Sequence, residues 1–158
     1  MESMYFTMKL LHILAAVVVM GTGAGIAFFM LMAVVSKNNT VIKVITKHVV
    51  LADWLFTFPF VLLQICTGGW LMQYLGFSFQ SPWFQTVGSL YLLIGLCWMF
   101  VVWIQYRLKN IAQQEGFNVL DNRAFKRMFR CWLFLGFVAF SALIIVFYYM
   151  VFKPAKFF

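Results

Sequence analysis

Three features of the sequence predict an all-α polytopic membrane protein, a single domain over 1–158 built as an antiparallel bundle of four transmembrane helices. Hydrophobic residues make up 65% of the chain and charged residues 10%, where a soluble domain carries about 25% charged residues. The apolar residues fall into four runs, each long enough to cross roughly 30 Å of hydrocarbon with about 20 residues. Short polar connections separate the runs, which makes consecutive helices antiparallel neighbours.

The first span is expected at about 10–35. Glu2 precedes the first lysine and the apolar run is too long for a signal core, so this helix is expected to stay in the mature protein. Ser36 to Thr40 form the first connection, where Thr40 is a candidate N-cap for a second helix spanning about 49–74. Pro59 lies inside that span, frees the carbonyl of Leu55 and is expected to kink the helix near its centre. Gly76 is placed to end it. Ser81 followed by Pro82 reads as an N-cap with proline at the first helical position, opening a third helix that spans about 87–105 and is expected to continue to Gly116. Asp121 or Asn122 caps the fourth, spanning about 131–152, and Pro154 stops it.

Of the 12 basic residues, nine lie in two alternate connections: Lys37, Lys43 and Lys47 in the first, and Arg107, Lys109, Arg123, Lys126, Arg127 and Arg130 in the third. The second connection has none. The positive-inside rule then places those two connections in the cytoplasm and both termini in the periplasm of a bacterial inner membrane, with Lys153 and Lys156 as opposing charges. Topology and anionic lipid headgroups thus account for the net charge of +8, and no nucleic-acid partner is expected. Membrane lipids are the expected partners, with a homo-oligomer or a partner membrane subunit as further ones. Cys66, Cys97 and Cys131 show no paired spacing and read as small apolar filler. Phosphate loops, Cys-x-x-Cys and His-Glu-x-x-His are absent, which sets aside a conventional hydrolase or kinase.

Polar residues inside hydrocarbon are the candidates for function, because each is costly there unless paired or solvated. His48, Asp53 and Arg130 fall on the basic side of the membrane, and Asp53 with Arg130 reads either as an ion pair fastening two helices or, with His48 and Arg107, as a proton or anion site. On the opposite side Lys9 and His12 share a helical face. His12 lies at the depth of Gln64 and Thr67, and beyond it come Ala15, Ala16, Val19 and Gly23, slim enough to leave room for a flat ligand. His12 is accordingly the candidate metal ligand, with Lys9, Ala16 and Gly23 as candidate cofactor-binding residues. His12 and His48 stand too far apart in depth to hold one haem together. Gly21 and Gly25 form a Gly-x-x-x-Gly pair expected to pack closely on another helix.

The stretch Lys9-Leu10-Leu11-His12-Ile13-Leu14-Ala15-Ala16-Val17-Val18, followed by Gly21 and Gly23, resembles the opening helix of a group that includes HemJ-type protoporphyrinogen oxidases and CopD-type copper-resistance proteins. Over nearly the whole chain, the segments His48 to Thr57, Pro59, Thr67-Gly68-Gly69-Trp70-Leu71 and Trp103-Ile104-Gln105 resemble an uncharacterised bacterial family of four-span integral membrane proteins. The HemJ likeness implies b-type haem on His12. It departs from that pattern at Trp83 to Ser89, where HemJ-type proteins carry a lysine near the start of the third helix and this chain has none. Three readings stay open: a small haem-binding redox protein using His12, a non-catalytic membrane subunit or scaffold, and a proton-coupled transporter using Asp53. Whether the protein is an enzyme is left undecided.

Overall fold

A computed structural model describes residues 2–152 and contains four helices long and apolar enough to cross a membrane. The elements are α1 (Glu2–Val35), α2 (Asn39–Ala52), a π-helical turn (Asp53–Thr57), α3 (Phe58–Tyr74), α4 (Pro82–Ala112) and α5 (Arg123–Phe152). The segment α2, π-turn and α3 is one span, Asn39–Tyr74. Each helix runs past the apolar stretch that announces it. α1, for instance, begins at Glu2, because nothing between Glu2 and Lys9 breaks a helix and Thr7 hydroxyl bonds the Ser3 carbonyl at 2.9 Å.

The helix ends show which punctuation operates. Asn38, not Thr40, caps α2: its side chain accepts from the backbone N–H groups of Thr40 and Val41. Asparagine one residue before the first helical turn is correctly placed for those orphan donors, whereas Thr40 already lies inside the helix. Ser81 caps α4 and accepts from Phe84 N–H at 3.2 Å. Gly76, at φ +68°, follows α3 with Gly76 N–H on Gln73 O and Phe77 N–H on Met72 O, the paired bonds of a Schellman turn. α4 ends at Ala112, short of Gly116. Asn122 rather than Asp121 caps α5, accepting from Phe125 N–H at 2.8 Å. Pro154, Lys153 and Lys156 lie outside the described residues.

An even number of spans brings Glu2 and Phe152 to the same end of the bundle. The other end carries the basic connections. There α2 sits between α1 and α4, and the 113–122 connection folds over it: Gln113 Nε2 donates to Lys43 O and Val119 N–H to Asn39 Oδ1. Beneath that cap lies the main apolar core, from Phe117 and Phe125 through Leu108, Ile42 and Met30 to Trp132. A second, smaller core of Met72, Trp83, Val87 and Val146 closes the end that holds the termini. Toward that end α3 packs on α1, and α4 packs on α5. Large apolar side chains such as Leu92, Phe137 and Val151 remain exposed on the outside, the surface that a lipid solvent requires.

Candidate functional site

In the second span, the side chains buried between Val50 and Met72 are Asp53, Thr57 and Thr67, all of them polar. Gln64, half-buried, belongs to the same face. The spacing i, i+4, i+11, i+14 puts Asp53, Thr57, Gln64 and Thr67 along one side of the helix. This polar face lies between the two apolar cores and carries a cluster at each end.

The cluster nearer the termini is centred on His12. Its Nδ1 lies 2.9 Å from Thr67 Oγ1 and its Nε2 3.0 Å from Gln64 Nε2. Thr67 gives its single hydroxyl hydrogen to Leu63 O at 2.6 Å, so toward His12 it must accept, and Nδ1 bears the proton. Nε2 then holds the lone pair and accepts from the Gln64 amide. That arrangement leaves Gln64 Oε1 buried without a partner. The Cε1 edge of the ring meets Gly68, where an added Cβ would stand 3.0 Å from His12 Cε1. Gly68 is therefore the glycine whose missing side chain the structure uses.

Neither expected use of the slim face of α1 appears. Ala15 is fully buried, whereas Gly21, Gly23 and Gly25 have open space where a Cβ would stand. Among the described residues the Gly-x-x-x-Gly pair thus brings no second helix close. Lys9 extends over the Tyr5 ring at 5.7 Å, and Ala16 is half-buried. The nitrogen left to ligate has its lone pair covered by Gln64, so iron could approach Nε2 only after that amide had left. Among the described residues no group of three His, Cys, Asp or Glu side chains is placed to hold a metal ion.

The second cluster surrounds Asp53, the first residue of the π-turn. Phe58 N–H reaches back five residues to Asp53 O, a register that places the irregular turn immediately before Pro59, which has no N–H to give. Pro59 thus expresses itself as a π-turn. Asp53 Oδ1 accepts a long bond, 3.5 Å, from Trp98 Nε1, and the side chains of Thr57 and Gln105 stand beside the carboxyl. Thr57 and Gln105 reach the carboxyl only loosely, so that Asp53 Oδ2, Thr57 Oγ1 and Gln105 Oε1 are buried with no well-formed hydrogen bond. Thr7, Thr46, Thr67 and Thr86 each donate to the carbonyl four residues back. Thr57 makes no such bond to Asp53 O, which receives Phe58 N–H.

Arg130 is not the partner of Asp53. It is exposed and lines an open groove with Arg123, Lys126 and Arg127, and no ion pair joins it to Asp53 among the described residues. Sequence depth placed the two at one level, but α2 packs on α4, so Asp53 looks toward Trp98 and Gln105. His48 is exposed and bonds Val44 O of its own helix at 2.8 Å, and Arg107 stacks over Trp103. The structure does not bring His48, Asp53, Arg107 and Arg130 together. Thr57, Trp98, Gln105 and Gly68 were not singled out as site residues from sequence. The repeat of polar residues along one face of the second span is the signal that marks Thr57; nothing comparable marks Trp98 or Gln105.

A family model described as "Predicted integral membrane protein (DUF2269)" matches residues 6–154. No curated protein and no solved structure matches the chain. The chain belongs to that family of multi-pass integral membrane proteins.

Proposed function

We propose that this member of the family couples to a small monovalent cation, which it binds and passes along the polar face of the second span. The observation that carries this reading is that Asp53, Thr57 and Thr67 are the buried side chains between Val50 and Met72 of a membrane-crossing helix. A helix that only needs to pack in hydrocarbon puts apolar side chains there. Polar groups at that depth are costly and by default mark an ion or substrate route.

Each residue has a role in this reading. Asp53 supplies the negative charge, and Trp98 orients it by holding Oδ1. Thr57 and Gln105 offer neutral oxygens in place of water. Gln64, Thr67 and His12 form the polar station toward the termini. Between the two stations the face carries Phe60 and Val61, half-buried and apolar, and passage requires that this turn move. The π-turn and Pro59 lie directly beside it, at the place where the span most readily changes register. With the basic connections in the cytoplasm, as the positive-inside rule directs, Asp53 faces the cell interior and His12 the outside.

The test is reconstitution in sealed liposomes with an imposed potassium diffusion potential, following cation entry with pH- and sodium-sensitive dyes. The wild type should conduct above protein-free vesicles, Asp53→Asn should abolish the flux and His12→Ala should reduce it. Absence of flux from the wild type, or undiminished flux through Asp53→Asn, overturns the reading. A Soret band in the purified protein that disappears in His12→Ala would restore haem binding in its place. Orientation is tested separately by alkaline phosphatase fused at Gln113, which should be silent.

A further inference from the structure

We infer that the oxygens gathered at Asp53 form a binding site for a sodium-sized ion, composed of Asp53 Oδ2, Thr57 Oγ1 and Gln105 Oε1 beside the π-turn. The inference rests on the cation reading above and goes further by naming the ion's chemical class.

Burial and the absence of partners come first. Asp53, Thr57 and Gln105 are 6%, 5% and 1% exposed, and the named oxygen of each is shielded and without a well-formed hydrogen bond. Native proteins rarely leave one such atom unsatisfied, and here one belongs to the Asp53 carboxyl and two to side chains beside it. Their chemistry is uniform: a carboxylate, a hydroxyl and an amide oxygen, all hard donors of the kind that bind alkali and alkaline-earth ions rather than soft metals.

Charge selects a monovalent ion. The set holds one carboxylate, and among the described residues no lysine or arginine pairs with it. A single positive charge neutralises it in hydrocarbon, whereas a divalent ion would leave a net positive charge where charge is most costly. Backbone geometry supplies the third argument. The π-turn sends Phe58 N–H to Asp53 O, and Thr57 Oγ1 does not make the bond to the carbonyl four residues back that Thr46 and Thr67 make. Pro59 gives no N–H, so a carbonyl of the same turn is also short of a donor. Interrupted helices that expose carbonyls at depth are the places where membrane proteins coordinate sodium ions or protons. Trp98 does not compete, because its N–H engages the other carboxylate oxygen.

The experiment measures thermal unfolding of the intact protein in detergent at constant ionic strength, with sodium chloride replaced stepwise by choline chloride or potassium chloride. A ligand that binds only the folded state raises the midpoint in proportion to the logarithm of its concentration once the site is saturated. Sodium should do this for the wild type, and choline should not. Thr57→Val should weaken the apparent sodium affinity about tenfold, and Asp53→Asn should remove the sodium response while the protein remains folded and monodisperse. Gln105→Glu, which keeps an oxygen at that position, should retain the response. A midpoint indifferent to sodium, or a response that survives in Asp53→Asn, overturns the site. If sodium has no effect but proton flux in liposomes persists, the sodium site fails and the cation reading stands. Sodium-dependent stabilisation without any flux has the reverse meaning.

Discussion

The His12 and Asp53 clusters set two polar groups into the same bundle under opposite rules. Both nitrogens of His12 have partners, its ring is packed on Gly68, and one atom nearby, Gln64 Oε1, is left over. Asp53 has one long bond, and its second oxygen, like those of Thr57 and Gln105 beside it, has no well-formed bond. The first cluster is built as a fastener between α1 and α3. The second leaves hydrogen-bonding capacity unused, and that is the feature of a site kept for something that arrives. Burial does not separate the two, because Thr67 and Thr57 are covered to nearly the same degree.

The comparison breaks most easily at its two centres. His12→Ala should cost about 3 kcal/mol of stability in detergent, through the cavity it opens and the unpaired Thr67 and Gln64 it leaves. Asp53→Asn, measured by the same denaturant titration without sodium, should fall within about 1 kcal/mol of wild type or gain stability, because it removes a buried charge that has no ionic partner. Equal losses in both variants would make Asp53 a fastener as well.

A smaller contrast is expected between glycines. Gly68→Ala should lose about 1–2 kcal/mol, since the new methyl meets the imidazole of His12. Gly21→Ala and Gly25→Ala, where the added methyl meets nothing, should gain about 0.5–1 kcal/mol from helix propensity. A loss at Gly21 in the purified protein would reveal that this face carries a neighbouring chain.

The threonines give the next effect in size. Thr67→Val should lose about 1 kcal/mol with its bond to His12, whereas Thr57→Val should leave cation-free stability unchanged. Smallest of all is the coupling between Asp53 and Arg130. Alanine substitutions at the two should add to within about 0.5 kcal/mol, and a larger interaction energy in that cycle would re-establish the ion pair that the structure does not contain.

Much of the architecture is legible one residue at a time. Apolar runs mark the four spans, Ser81-Pro82 marks the start of α4, Gly76 marks the end of α3, and depth along the helices places His12 level with Gln64 and Thr67. These are local properties: each depends on the solvent around a residue or on the backbone chemistry of one turn. The α2 cap at Asn38 shows the limit of that reading, because Asn38 and Thr40 are both good capping residues and only the backbone path decides between them.

Which way a side chain points around its helix axis is a different quantity, and the tertiary structure alone determined it. Asp53 and Arg130 share a depth, but α2 packs on α4, and a π-turn resets the register just where Asp53 begins it. The carboxyl therefore meets Trp98 and Gln105, and Arg130 meets the outside. The glycines follow the same logic: Gly21 and Gly25 have the expected spacing but no neighbour, while Gly68 has the neighbour. Hydropathy reports depth in a membrane, because lipid and water differ along the bilayer normal. It carries little information about azimuth, because inside a mostly apolar bundle the lipid-facing and helix-facing surfaces are chemically alike.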